Sequence, residues 1–303
     1  MNSRIVITGG SGLIGQQLTK LLLEKGHEVS WLSRTGKSIA GVKGYCWDIN
    51  KQTVDVNAFE GVSAIIHLAG EGIANKRWTA LQRRKILSSR VSSTNLLYTT
   101  IKKEQFKIDA IISASGAGYY GYDNGEKELH ESDKKGIDFV ADVVKHWEDA
   151  VDQFNKLDVR TVKLRLGIVM TEKGGALEKM ALPIRWGVGA PLGNGKQYIS
   201  WLHSKDLCRM ILHVINNEQI KGVYNASTSN PITNADLTKT IGKVLKRPIF
   251  LPNIPSWALR IALGEMSNLV TGSVRLSSKK IVATGFDFKF NTIETALFDL
   301  LKT

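Results

Sequence analysis

The chain has 303 residues, of which 43% are hydrophobic, enough for one large α/β unit with a smaller appendage and too many for a disordered protein. Lys and Arg number 41 against 28 acids, a formal charge of +13 that favours anionic ligands. The basic residues are spread along the chain with one denser patch from Lys76 to Arg90, and no zinc-finger spacing or RNP-type motif accompanies them, so we expect phosphorylated small molecules as partners and no nucleic acid.

The chain enters an apolar run, Ile5 to Ile7, almost at once, with no room before it for a secretion signal. That run reads as a buried strand and leads into Thr8-Gly9-Gly10-Ser11-Gly12-Leu13-Ile14-Gly15, followed by a helical pattern at Leu18, Leu21 and Leu22 that ends at Gly26. A strand, a glycine turn and a helix in this order form a dinucleotide-binding fingerprint. The glycines let the chain turn sharply, bring a pyrophosphate close to bare backbone, and pack the helix on the strand. The helix N-terminus then offers free N–H groups to the phosphates. A second apolar run, Val29 to Leu32, completes a βαβ unit. An NAD site places Asp or Glu about 20 residues past the glycines to accept from the ribose 2′-hydroxyl. Here the second strand ends in Ser33-Arg34, with Lys37 close behind. A guanidinium cannot accept a hydrogen bond but pairs with a 2′-phosphate, so the cofactor expected is NADP(H).

Further strand-like runs follow at Gly44 to Trp47 ending in Asp48, Ala64 to Leu68, Ile108 to Ser113, and Arg160 to Val169. Helical patterns at Ser89 to Lys103 and Phe139 to Phe154 alternate with them, which implies a parallel sheet covered on both faces. Ligands of such sheets bind beyond the carboxyl ends of the strands, where Ser33, Arg34, Asp48, Leu68, Ala69 and Ser115 sit. Asp48 has two readings, a partner for the adenine amino group or a plain strand end. Cys46 and Cys208 lie too far apart for a disulfide framework and fit a reducing, cytoplasmic setting.

Beyond Val169 a loop (Gly187 to Gly195), a short strand (Tyr198 to Leu202) and a helix opened by Ser204-Lys205-Asp206 precede a return to the sheet at Val223 to Ala226. Thr233 or Asn234 caps a helix to Leu245, Pro248 breaks it, and Ile249 to Leu251 reads as a strand. Ile254 to Val270 is interrupted by Arg260 and Glu265, too short to span a bilayer, and reads as an amphipathic helix packed on the protein; no membrane partner is expected. The fold class is therefore α/β, a Rossmann-like doubly wound parallel sheet with a smaller C-terminal α+β substrate lobe. Residues 1–170 with 197–227 form the dinucleotide-binding domain, and 171–196 with 228–303 the smaller lobe.

The Thr8 to Gly15 loop, His67-Leu68-Ala69-Gly70, Ser113-Ala114-Ser115, Tyr119-Tyr120-Gly121, Leu164 to Val169 and Trp201 to Asp206 together resemble the extended short-chain dehydrogenase/reductases of the nucleotide-sugar epimerase-like group. Lys76-Arg77-Trp78, Ser89-Arg90, Trp147-Glu148, Gly174 to Leu177, Pro191-Leu192-Gly193, Asn225-Ala226, Thr233-Asn234 and Gly264-Glu265-Met266 resemble an atypical branch with its own C-terminal segment, the epimerase family proteins. The resemblance implies NADP(H) binding by the glycine loop, Ser33 and Arg34 on the 2′-phosphate, Leu68 and Ala69 beside the adenosine ribose with Gly70 following, and Arg90 reaching the cofactor. Active members of the wider superfamily carry Tyr-x-x-x-Lys on the helix after the serine strand, and that pair falls here near Val140 and Val144. Ser115 with Tyr119 or Tyr120 is then the remaining hydroxyl set, and we take Ser115 and Tyr119 as the catalytic candidates. The competing reading is a non-catalytic NADP(H)-binding regulatory or redox-sensing protein. His67 has no second ligand at metal spacing and reads as a packed histidine.

Overall fold

The computed structural model describes residues 3–39 and 41–301. In chain order the strands are β1 (Arg4–Thr8), β2 (Glu28–Ser33), β3 (Lys43–Asp48), β4 (Thr53–Val54), β5 (Ala64–His67), β6 (Ala110–Gly116) and β7 (Asp123–Leu129). There follow β8 (Arg160–Leu166), β9 (Ile168–Met170), β10 (Tyr198–Ile199), β11 (Trp201–His203), β12 (Gly222–Ala226), β13 (Ile232–Thr233) and β14 (Ser273–Leu276). The helices used below are α1 (Leu13–Glu24), α2 (Ala80–Glu104), α3 (Phe139–Asp152), α4 (Gly175–Arg185), α5 (Ser204–Asn216), α6 (Asn234–Val244), α7 (Ser256–Leu263) and α8 (Asn268–Thr271).

Eight strands form one sheet in the order β12-β8-β6-β5-β1-β2-β3-β4, parallel throughout except where β4 runs against β3. The chain builds outward from β1 to β3 and then crosses to β5, so the direction of winding reverses between β1 and β5. That switch point opens the crevice in which ligands of doubly wound sheets bind. Both faces are covered, as the continuous apolar runs require. Leu18 and Leu22 of α1 pack with Leu207 and Ile211 of α5 on one face, and Leu97 and Ile101 of α2 with Trp147 and Val151 of α3 on the other. Side chains fix where the helices start: Thr79 accepts from Gln82 N, Asp138 from Val140 N and Ala141 N, and Thr233 from Asp236 N.

The structure departs from the expected elements in four places. The run Arg160 to Val169 is two strands, because Gly167 passes so close to Ser200 that a Cβ would lie 2.6 Å from its carbonyl oxygen; β9 leaves the main sheet there to pair with β11. Ile249 to Leu251 is not a strand. Pro248 and Pro252 flank it and supply no ladder donors, so Ile249 packs inward while Phe250 and Leu251 face solvent. The segment from Ile254 to Val270 is not one packed helix either. Gly264, at φ 62°, breaks it into α7, a 3-10 turn and α8, and Leu259 is the buried side chain of α7. Finally, Asp206 is no helix cap. The His203 imidazole caps α5 by accepting from Lys205 N (3.0 Å), while the Asp206 carboxylate lies inside and accepts from Lys289 N (3.0 Å) and Phe290 N (2.8 Å). It thereby staples the chain ahead of the C-terminal helix to α5. A second core lies where the smaller lobe meets the sheet domain: Leu177 and Ile184 of α4, Leu237 and Ile241 of α6 and Leu297 pack there with Trp201 of β11.

His67 is fully buried at the end of β5, with Nδ1 2.7 Å from Thr8 Oγ1 and Nε2 within 3.2 Å of the Ser93 and Thr94 hydroxyls. The rings of Trp47 and Trp147 meet it edge-on. Burial, and secondarily the charge of Arg90, pushes its pKa down to about 3. Burial likewise takes His203 down to about 4 against the pull of Asp299. Both rings are neutral when folded and gain a proton on unfolding. Their stability contribution is complete above the unfolded pKa of about 6.5 and declines below it, by up to about 1.4 kcal/mol per pH unit for each ring. Urea unfolding midpoints should therefore fall between pH 7 and 5, and His67→Gln should flatten the slope; a wild-type midpoint that holds steady over this interval would contradict the assignment.

Candidate functional site

The glycine loop leaves β1 beside the end of β5, and each glycine meets a different constraint. Gly9 (φ 72°) turns the chain against the neighbouring strand end: a Cβ there would stand 3.1 Å from Leu68 C and Ala69 N. At Gly10 it would strike the Trp31 indole (2.5 Å to Cγ), and at Gly15 the backbone of Gly10 (2.6 Å to Cα). Gly12 differs. It is exposed, its φ is ordinary at −76°, and the one atom near its Cβ position is Gly9 O at 3.2 Å. Gly10 and Gly15 thus serve the packing of α1 on the sheet and Gly9 the turn toward β5, while the exposed Gly12, its N–H donated to Gly9 O (3.0 Å), leaves the space over the turn free of a side chain. No side chain caps α1 at this end, so its leading amides are presented beside the exposed Ser11 and Leu13, with Ile14 half-buried behind them.

Along the sheet edge from this loop, β2 ends at Ser33, whose Oγ accepts from Gly36 N (3.1 Å), and at an exposed Arg34. Asp48 ends β3, with Oδ1 accepting from Asn50 N and Lys51 N. In the other direction Leu68 N donates to Thr8 O and Ala69 N to Thr8 Oγ1, which ties the ends of β1 and β5 together. Gly70 makes room for Arg90, whose Cζ would be 3.2 Å from a Cβ at that position. The Arg90 guanidinium lies over the Trp147 ring and donates to the Ile86 carbonyl (3.0 Å) and toward Ser89 Oγ, not to a carboxylate. Burial pushes its pKa down to about 10. The Glu71 carboxylate acts on it only at a distance, so the guanidinium keeps donors that suit an anion. Together with the open turn at Gly12 and the uncapped helix, it fits a dinucleotide pyrophosphate.

Next in the sheet is β6 with Ser115, and here the side chains form one buried polar network. Ser115 Oγ donates to Glu148 Oε1 (2.6 Å), and Glu148 is paired through both oxygens with Arg165 (2.8 and 2.9 Å). Arg165 also donates to the Tyr120 hydroxyl (2.9 Å), which donates to Asn225 Oδ1 (2.7 Å). Its guanidinium covers the face of the Tyr119 ring at 3.3 Å. Burial pushes the Tyr120 phenol up to about 12 despite Arg165 beside it, which removes it as a base at neutral pH. Of the two tyrosines considered from sequence, Tyr119 is the half-exposed one. Sequence reasoning missed Glu148, Arg165 and Asn225 as members of the site. The available signal was Arg165 itself, a charge inside the apolar run of β8 that has to find a partner.

Residues 5–139 match the NAD dependent epimerase/dehydratase family and residues 254–300 a domain of unknown function, DUF1731. The epimerase family protein YfhF of Bacillus subtilis is 34% identical over 298 residues, covering 98% of this chain and 97% of the relative. The chain belongs to the epimerase family. An epimerase family protein of Staphylococcus aureus is 33% identical over 300 residues, with 98% of each chain covered. The crystal structure of human epimerase family protein SDR39U1 (isoform 2) with NADPH superposes with a TM-score of 0.87 at 29% identity, covering 99% of both chains.

Against this epimerase-family frame, the positions of the helix dyad are filled with hydrocarbon. A Cβ on Gly118 would overlap Val140 Cγ1, and one on Gly116 would lie 3.5 Å from Val144 Cγ2. Lys145 turns outward to Asp149 (2.5 Å), whose hydrogen bond raises its pKa, with a smaller contribution from Tyr119. The smaller lobe reaches the cofactor lobe through an Arg83–Glu265 ion pair and a bond from Lys179 Nζ to Ala74 O (3.0 Å), and Trp78 packs on Phe139 at the start of α3. Trp201 of β11 is fully buried, packed against side chains of the smaller lobe. The glycine geometry yields a stability test: Gly15→Ala should lose about 2 kcal/mol or more through overlap with fixed backbone, and Gly12→Ala less than about 1 kcal/mol. Equal losses in thermal or urea unfolding would contradict the division of roles.

Proposed function

We propose that the protein is an NADP(H)-dependent oxidoreductase that reduces a small carbonyl or nucleotide-sugar-like compound. The observation that carries this reading is the order of groups along one sheet edge: Arg34 after β2, Gly12 after β1, Leu68 to Gly70 after β5 with Arg90 of α2 against them, and Ser115 near the end of β6. This order runs from a 2′-phosphate site through a pyrophosphate site to a hydroxyl-bearing strand end, the layout a dinucleotide needs when it crosses the switch point. Arg34 and Ser33 would hold the 2′-phosphate, and Gly12, Leu13, Ile14 and Arg90 the pyrophosphate. The bound cofactor supplies the hydride.

The chain's own contribution is orientation and one proton. Ser115 commits its hydroxyl hydrogen to Glu148, so it turns lone pairs to the site and positions a donor on the substrate. Tyr119 is the remaining phenol at the strand end and donates to the substrate oxygen as charge builds there. The proton it gives to the reduced substrate oxygen is replaced from solvent; reduction needs that transfer once per turnover, whereas epimerisation needs the same group to give and retrieve a proton within each cycle, so carbonyl reduction is the reading we favour. A second reading, an NADP(H)-binding regulatory or redox-sensing protein, is favoured by Val140 and Val144 in place of the dyad.

Two measurements test this. Wild-type protein should bind NADPH at least about tenfold more tightly than NADH, since a charge-assisted phosphate contact contributes about 1.5–3 kcal/mol, and Arg34→Asp should erase the preference. Equal affinities in the wild type would sink the NADP(H) assignment. Small aldehydes, ketones and nucleotide sugars should then be screened for NADPH consumption, and on any hit Tyr119→Phe should lower kcat by about tenfold or more. Tight cofactor binding with no turnover hands the case to the regulatory reading, and turnover that survives Tyr119→Phe and Ser115→Ala would show that other residues carry the chemistry.

A further inference from the structure

The smaller lobe leaves an apolar face uncovered. Trp186 (77% exposed), Phe250 (70%), Trp257 (68%) and Ile261 (72%) point outward, joined by Val188 and Leu251. Of the 16 large apolar side chains exposed among the described residues, half fall within 182–188 and 250–261, so the exposure is concentrated there and is not the ordinary scatter of a soluble surface. The segments that carry them lie side by side. Leu192 bridges to Ile254, Gly193 N donates to Ile254 O (2.8 Å), Ile254 N donates to Pro191 O (2.9 Å), and Gly189 packs on Ile249. The loop after α4, the proline-flanked stretch before α7 and α7 itself are thus neighbours on the smaller lobe.

The charge around this face selects its occupant. Residues 182–198 and 237–263 contain seven Lys or Arg and no Asp or Glu. All seven are exposed, among them Arg185 next to Trp186, Lys246 and Arg247 ahead of Phe250, and Arg260 next to Ile261. A second copy of the chain would bring the same positive charge to the contact, which disfavours self-pairing. Tryptophan, aliphatic side chains and flanking Lys or Arg together are the composition of a surface that seats in the headgroup layer of an anionic bilayer. No helix among the described residues is long and apolar enough to cross a membrane, so the contact is with the surface of the bilayer.

We propose that this face docks the protein on membranes rich in anionic lipids, with Trp186, Phe250, Trp257 and Ile261 entering the interface and Arg185, Lys246, Arg247 and Arg260 meeting lipid phosphates. The proposal departs from the expectation of no membrane partner, and it stands apart from the cofactor assignment, which rests on other residues. The test is flotation of the full chain with vesicles of phosphatidylcholine, either alone or with about 30 mol% phosphatidylglycerol. The full chain should float with the anionic vesicles at least about tenfold more strongly than with the neutral ones, and high salt should weaken it. The double variant Trp257→Ser, Ile261→Ser and the triple variant Arg185→Glu, Arg247→Glu, Arg260→Glu should each lose about tenfold or more in partitioning while melting like the wild type. Equal flotation with both vesicle types, no flotation, or variants that float like the wild type would overturn the proposal. So would a lipid-free dimer that the same substitutions dissociate, which would assign the face to a second copy.

Discussion

The buried pairing of Glu148 with Arg165 is the interaction on which the site depends. It joins α3 to β8, and through Ser115, Tyr120 and Asn225 it reaches β6, the turn after it, and the edge strand β12. Breaking such a pair leaves a charge in the core at a cost of about 3–5 kcal/mol, so the arrangement is held firmly once formed. It also sets the chemistry. Ser115 spends its hydrogen on Glu148, and the Arg165 guanidinium lies across Tyr119.

The cofactor side is less fully closed, with donors of α1 and Arg90 that no carboxylate or capping side chain takes up. Gly12 adds no side chain over the turn, α1 has no capping side chain for its Leu13 and Ile14 amides, and Arg90 bonds to neutral acceptors. The two halves of the site thus differ in how far the protein has satisfied its own polar groups. Where satisfaction is incomplete an anion fits; where it is complete, a substrate has to displace or share bonds already made.

Much of this was legible in the sequence because it is local. The apolar runs, the glycine spacing and Arg34 after the second strand are each read within a few residues, and they place the sheet edge and the dinucleotide loop. What could not be read depends on contacts between distant segments. The break at Gly167 comes from the close approach of Ser200, the pairing of Glu148 with Arg165 spans α3 and β8, and the staple made by Asp206 spans two lobes. The hydrophobic pattern of α7 was visible, but a pattern does not say whether its face meets protein or something else, and Trp257 and Ile261 turned out to face away from the core.

The central claim is that one sheet edge carries an NADP(H) site whose reactive end lacks the helix dyad. A crystal structure with NADPH tests it most directly. The expected density places the 2′-phosphate on Ser33 and Arg34, the pyrophosphate on the amides of Leu13 and Ile14 with Arg90 beside it, and the nicotinamide against Ser115 and Val144. A nucleotide bound away from the glycine loop, or one whose 2′-phosphate does not meet Arg34, would contradict the account.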